Sequence, residues 1–260
     1  MAVTNFIQTI WSKKIQDDLE LKCKLVDNCL RDYEGDCKYA QSVKILGVGE
    51  PTIGAYDGSK DITIEEMSDK SQILTIDQAN YFAFYVDDVD KAQSVPGLAE
   101  KYQEKAVHGL AVARDSYVAN LIAAAANKTT VTMTEEGFKK GIDDAIVELR
   151  ERNFDEDGVI EITPAAYNLF KNHLITLSTN NPELIRKGVV GVYDQFDVIM
   201  SNNLKTPGCI RGKKAIAFAG QINEVEALRA EKRFKDIIRG LDTFGAKTID
   251  ENRIQVLTNA

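Results

Sequence analysis

Positive charge is in short supply in this chain, and so are the residues from which most catalytic and metal sites are made. Lys and Arg number 32 against 40 Asp and Glu, for a net charge of −8. Tight neutralisation of phosphates needs the opposite balance, so the composition excludes a dedicated nucleic-acid binder, although the chain can still lie beside nucleic acid. There are two histidines, His108 and His173, and four cysteines, Cys23, Cys29, Cys37 and Cys209. No C-x-x-C pair occurs and the spacing of a zinc site is missing, so no metal is expected. An even cysteine count in a chain this long is not a disulfide framework, and reduced, packed thiols are expected instead. No run of about 18 uncharged apolar residues is present, so no membrane-spanning helix is expected. The opening Met-Ala-Val-Thr-Asn-Phe carries neither a basic region nor a signal-type apolar stretch, which points to synthesis and folding in a cytosol.

Catalytic motifs are equally scarce. No G-x-S-x-G exists to make a nucleophile for either histidine to serve. Gly47-Val48-Gly49-Glu50-Pro51-Thr52-Ile53-Gly54 invites a phosphate-loop reading, but it lacks the third glycine of a dinucleotide site and the Lys-Ser or Lys-Thr of a nucleotide site. A glycine-punctuated hairpin explains it better. Asp87-Asp88-Val89-Asp90 could open a calcium loop. Counted from Asp88, the required glycine and glutamate positions hold Gln93 and Ala99, so the segment reads as an acidic connection. Glu231-Lys232-Arg233-Phe234-Lys235 is the strongest basic patch, yet no nucleic-acid module surrounds it, and a solvated or subunit-facing strip is the plainer reading. With no catalytic set and no cofactor motif, the chain is expected not to be an enzyme.

What is present is ample apolar material, 44% of 260 residues, enough for one large domain or two closely connected ones. Ile7, Ile10, Trp11, Ile15, Leu19, Val26 and Leu30 recur at helical spacing and predict a helix over 5–30. From Ser42 the period changes to that of strands, around Val43–Val48, Ile62–Ile64, Gln72–Ile76 and Tyr81–Val86. The stretch reads as a long two-stranded excursion with a Gly-rich tip. Isolated hairpins are marginal in water, so it needs a neighbour to lie on. Leu98, Tyr102, Ala106, Leu110, Ala113, Tyr117 and Leu121 predict an uninterrupted helix over 97–126, roughly 45 Å long at 1.5 Å per residue. Such a helix must be a spine for several elements. Thr132-Met133-Thr134-Glu135 resembles a capping box before a helix facing inward through Phe138, Ile142, Ile146 and Leu149. A strand at Val159–Ile162, a helix from Pro164 to Leu174, a short helix after Asn181-Pro182, and strands at Val189–Val192, Phe196–Met200 and Ala215–Phe218 complete an α/β unit over about 129–219. Strand-like segments at Ile222–Leu228, Leu241–Ile249 and Ile254–Leu257 are expected to pack back on the spine.

Five segments, in order along the chain, resemble one family. They are Phe6-Ile7-Gln8-Thr9-Ile10-Trp11-Ser12, then Gly49-Glu50-Pro51-Thr52-Ile53-Gly54-Ala55-Tyr56, and third the segment from Thr75-Ile76-Asp77-Gln78 through Asp87-Asp88-Val89-Asp90 to Gln93. Val198-Ile199-Met200-Ser201-Asn202-Asn203-Leu204 and Gly240-Leu241-Asp242-Thr243-Phe244-Gly245-Ala246-Lys247 complete the set. Together they are similar to tailed-bacteriophage major capsid proteins of the Hong Kong ninety-seven type. The resemblance implies an α+β capsid fold with an N-terminal arm (1–41), an extended loop (42–86), a peripheral domain holding the spine helix (87–128 and 220–260) and an axial domain (129–219). It implies hexamers and pentamers of this chain around double-stranded DNA in a virion, assembled in a bacterial cytoplasm with a portal. Because the chain is short and begins close to the arm helix, a separate scaffolding protein is expected. The interface candidates it suggests are Pro51, Thr52, Tyr56, Asp57, Gly58 and Lys60 on the loop, with Arg233 and Lys235 on the basic strip. Lys60 and Lys70 lie near the loop, but their surroundings identify no cross-linking partner. An encapsulin-like compartment, which shares the fold and encloses protein cargo, is the alternative.

Overall fold

A computed structural model describes residues 19, 23–33, 42–45, 71–87, 98–177, 191–229 and 235–260. The class is mixed α+β, with eleven described strands in three sheets. Strands β1 (Ser42–Ile45) and β2 (Gln72–Thr75) pair antiparallel, Ser42 opposite Thr75 and Ile45 opposite Gln72. Strand β3 (Gln78–Asp87) does not continue that excursion. It pairs along its whole length with β10 (Lys235–Thr248), whose other edge carries β9 (Ile216–Arg229). Thus Ala215–Phe218 and Ile222–Leu228, expected as separate strands, join into one across Gly220.

The sequence spacing of β3 explains its position. Phe82 and Phe84 alternate with Ala83 and Tyr85, and the two phenylalanines pack on the core under the first described helix, α1 (Leu98–Ala124). The α1 helix has the length expected of the spine, 27 residues. Its inner stripe is rotated from the one the apolar spacing suggested. Val107, Leu110, Ala111, Val118, Ala119 and Ile122 are buried, whereas Tyr102 is exposed and Ala106, Ala113, Tyr117 and Leu121 are half-buried. The cause is that Arg114 and Asp115 belong to the stripe, and a reading by hydrophobicity assigns both to solvent.

A six-stranded mixed sheet has the order β4-β11-β8-β5-β7-β6, from β4 (Lys128–Val131), β5 (Gly158–Ile162), β6 (Val192–Tyr193), β7 (Phe196–Met200), β8 (Gly208–Gly212) and β11 (Ile254–Asn259). One face packs on α2 (Glu135–Glu151) and α3 (Pro164–Leu177), with Phe138, Ile142, Ile160, Phe170, Ile210 and Leu257 in one core. The helix α2 buries the four predicted residues, but its cap is Thr134, not Thr132. The Thr134 hydroxyl accepts the Gly137 N–H at 3.1 Å. The opposite face joins the C-terminal half of α1 through Cys209, Ile254 and Val256. The tail therefore divides: β10 lies against α1, and β11 enters the six-stranded sheet between β4 and β8.

The predicted first helix is shorter at its C-terminal end than 5–30. Leu19 is helical, but past Cys23 the α-helix does not continue, and the chain makes a single 3₁₀ turn at Val26–Asn28 and runs on to a bridge between Leu30 and Ala217. The reason is tertiary. The Asp115 carboxylate accepts the N–H groups of Lys24, Leu25 and Val26, which a continuing helix would have bonded to its own carbonyls. The predicted helix after Asn181-Pro182 lies outside the described residues.

The base of the excursion finds its neighbour within its own chain. Val43, Ile45 and Leu74 bury against Ala217 and Ala219 of β9. The Gln72 side-chain amide donates to the Ile249 carbonyl and Lys247 Nζ to the Ile73 carbonyl, both at 3.0 Å.

Candidate assembly surface

The outward face of the β3-β10-β9 sheet carries several exposed large apolar residues. Residues opposite one another on paired antiparallel strands share a face, so the pairs Tyr81–Leu241 and Tyr85–Ile237, and Leu228 beside Ile237, fall on one side. Tyr81 is 80% exposed and Tyr85 67%, and Leu228 and Leu241 are each 41% exposed. Ala83 lies between the two tyrosines, with the exposed Arg239 opposite it on β10. Among the described residues β10 is the one strand that pairs with β3. Exposed aromatic residues on a strand face are the composition of a protein interface rather than of a solvated face.

Charge, by contrast, is drawn inward. Arg114 and Asp242 form a buried ion pair, with the Arg114 guanidinium over the rings of Phe218 and Phe244 at 5.6 and 5.9 Å. Arg211 Nε and Nη2 donate to the two oxygens of Glu161 at 3.0 and 2.8 Å, and both residues are fully buried. Burial pushes the Glu161 carboxyl above its usual range, against the pull of Arg211, and does the same to Asp242 against Arg114. These pairs have no route to a substrate, so they are structural. Cys23, Cys29 and Cys209 are buried free thiols. Burial raises Cys23 to about 12 and Cys29 to about 11, and Cys209 is shifted upward for the same reason. None is a nucleophile at neutral pH.

Two open depressions complete the surface. One, of about 320 Å³, lies over Asp155, Glu156 and Asp157, where Arg253 already pairs with Glu156 at 2.6 Å. The other, of about 410 Å³, is lined by Glu148, Arg152 and Gln255, which are hydrogen-bonded among themselves. Neither brings a nucleophile to a base. His108 stands exposed on α1 and His173 half-buried on α3. Among the described residues no three His, Cys, Asp or Glu are grouped to hold a metal, and no helix is long and apolar enough to cross a membrane.

Of the residues singled out from the sequence, Pro51, Thr52, Tyr56, Asp57, Gly58, Lys60 and Arg233 lie outside the described residues, as does Cys37. Lys235 opens β10 with its backbone opposite Asp87. The exposed tyrosines were not among the candidates. Their signal was in the sequence, because Tyr81-Phe82-Ala83-Phe84-Tyr85 is apolar on both faces of a strand, which a strand with one solvated face is not.

No family model matches the sequence, and no curated protein matches it. Solved structures do. A chain from Mycobacterium phage Che8 matches with a TM-score of 0.77 at 24% identity, over 90% of this chain and 90% of that one. A chain from the capsid structure of the cyanophage P-SCSP1u matches with a TM-score of 0.74 at 16% identity, over 89% of this chain and 86% of that one. The chain has a phage-capsid fold. The α+β class and the family resemblance read from the sequence agree with it. A virus-like particle from Pyrococcus furiosus shares the capsid fold less closely, with a TM-score of 0.61 at 14% identity over 96% of this chain and 99% of that one.

Proposed function

We propose that this chain is the major capsid protein of a tailed bacteriophage, a structural subunit that assembles with copies of itself into hexamers and pentamers of an icosahedral head around double-stranded DNA. The observation that carries the reading is the fold, matched over 89% of this chain by a chain of a cyanophage capsid. The tyrosine-bearing sheet face supports it, since such a surface needs a cover and a second copy is the cover a shell supplies. A heterologous contact repeated by rotation closes into rings, and rings joined at their edges close into a shell. Each contact can be weak because many act at once. The encapsulin-like alternative is less favoured, as the virus-like particle matches with the lower TM-score and lower identity.

The proposed division has an arm (1–41), an extended loop, a peripheral domain and an axial domain. The pairing of β3 with β10 supports ending the loop near Thr75, and the place of β11 supports giving that strand to the axial unit. Pro51, Thr52, Tyr56, Asp57, Gly58 and Lys60 on the loop, with Arg233 and Lys235, are the proposed contacts to the adjacent subunit. Scaffolding protein and portal are the proposed partners during assembly in the host cytoplasm. Deleting Thr52–Thr63 tests the loop. The variant is expected to remain a folded subunit by circular dichroism and to give no shells, sheets or tubes by light scattering and negative-stain electron microscopy, with scaffold co-expressed. Intact shells from the deletion would defeat the assignment. The net charge of −8 belongs to the same reading, because an acidic protein leaves packaged DNA free to slide. The purified subunit is expected to bind duplex DNA weakly, and tight, salt-sensitive binding would count against the DNA-enclosing role.

A further inference from the structure

The segment Lys24–Leu30 has little structure of its own beyond one 3₁₀ turn, yet groups of α1, β8 and β9, all distant in the chain, hold it. On its amide side, Asp115 of α1 accepts from Lys24 at 3.0 Å, Leu25 at 3.1 Å and Val26 at 3.2 Å. The same carboxylate is steadied by Asn203 Nδ2 at 3.2 Å, from the turn after β7. On its carbonyl side, Arg211 of β8 donates to Asn28 at 2.7 Å and Leu25 at 2.8 Å, while its Nε and Nη2 remain on Glu161. At its end, the Leu30 N–H bonds to Ile216 and its carbonyl accepts from Phe218, both at 2.9 Å. Leu25, Val26 and Cys29 anchor it in the core between α1 and the six-stranded sheet.

The strand register shows which surface this segment covers. Glu161 lies opposite Cys209, and Val159 opposite Arg211, so Glu161, Cys209 and Arg211 share one face at the middle of the sheet. The core formed with α2 and α3, containing Ile160, Ile162 and Ile210, is on the other face. We propose that Lys24–Leu30 is a latch strap, a separable segment that closes this charged face by docking on Asp115 and Arg211 and opens it again without unfolding either core. The chemistry of the seat suits a reversible dock. An all-leucine seat would be costly to wet, whereas an ion pair that keeps both of its own hydrogen bonds can meet water when the strap lifts. The five backbone groups the strap offers to Asp115 and Arg211 also find water in the open state, so opening orphans no polar group. Its loss is the burial of three side chains, which makes it a local event. The inference stands apart from the shell reading, since it concerns the isolated subunit.

Hydrogen exchange of the full-length subunit, read by mass spectrometry over a series of sub-denaturing urea concentrations, tests it. In the unaltered chain the amides of Lys24, Leu25, Val26 and Leu30 are expected to exchange at least about a hundredfold faster than those of β5 and α2, with little dependence on urea. Thiol labelling of Cys23 and Cys29 should report the same opening. Asp115→Asn is expected to speed both by about tenfold, the loss of hydrogen bonds to a charged acceptor, and to leave β5 and α2 unchanged. Arg211→Lys should act in the same direction. If the strap amides in the unaltered chain exchange only together with β5 and α2 and with their urea dependence, the strap is part of the global core and the proposal fails. It fails equally if the folded Asp115→Asn chain exchanges there as the parent does. A variant that does not fold leaves the decision with the unaltered chain.

Discussion

Arg211 occupies a position on a central strand where valine or isoleucine would be the ordinary choice, and its guanidinium is fully enclosed. Removing either member of its pair with Glu161 should cost about 3–5 kcal/mol at neutral pH, because the survivor is left charged and buried. The two losses should then respond differently to acid. An orphaned glutamate can take up a proton, and burial already pushes Glu161 up, whereas an orphaned arginine cannot lose its proton. In Arg211→Met the folded carboxyl titrates above the unfolded one, so the folded chain holds a proton that the unfolded chain releases. That contribution is whole below the ordinary carboxylate value of 4.5 and is lost as pH rises through the raised folded value. Urea melts across this acidic window should show Arg211→Met recovering part of its deficit toward acid and Glu161→Gln recovering none. Equal recovery would mean the charge is not what makes the site costly. Neither this pair nor Arg114–Asp242 could be read from the sequence. Charged residues announce themselves as surface, and only the fold shows that two positions 50 residues apart, 161 and 211, meet.

Elements were legible where one periodicity ran without interruption. The spine helix, α2, β5 and β7 stand where the spacing put them. Strand β8 escaped notice because Gly208-Cys209-Ile210-Arg211-Gly212 has glycine at both ends and a charge inside, yet the glycines are what the sheet requires. A Cβ at Gly208 would meet the Glu161 backbone oxygen at 3.2 Å, and one at Gly212 would press on the Phe154 ring at 2.8 Å. The end of the first helix escaped for another reason, since Asp115 competes for its amides from 90 residues away. Gly245 shows how the excursion is attached. A Cβ there would fall 2.1 Å from the Thr75 carbonyl oxygen, a backbone atom that cannot step aside without shifting β2. Gly245→Ala is expected to cost about 3 kcal/mol and to speed proteolysis around β1 and β2. Gly109 lies in the middle of α1 with open space about it. Gly109→Ala should therefore stabilise the chain by about 0.5–1 kcal/mol, through helix propensity alone. Equal melting temperatures for the two variants would mean that β2 does not lie against β10 as described.

For the whole molecule, the sequence resemblance led to the capsid fold without any recognisable active-site motif, because what such a fold keeps is arrangement rather than chemistry. The contact surface was less legible than the fold. The candidates drawn from the loop fall outside the described residues, and the exposed rings of Tyr81 and Tyr85 emerge only once β3 is paired and its two faces are told apart. Tyr81→Asp combined with Tyr85→Asp separates folding from association. Both rings are solvent-exposed in the lone subunit, so the melting temperature should move by no more than about 2 °C. Shell formation by light scattering and electron microscopy should be lost, and normal shells from the double variant would remove this face from the assembly account.

The position of β11 bears on how each copy is made. Val256 pairs with Lys128 on one side and Cys209 on the other, so edge strand β4 is joined to the rest of the six-stranded sheet by residues translated long after it. On the ribosome, β4 and β8 must wait with facing edges open until that strand emerges, a slow closure set by sequence separation. A chain whose synthesis stops early lacks the strand that joins them and leaves the six-stranded sheet in two parts. The fold is therefore closed only when the last strand, Ile254–Asn259, has been made.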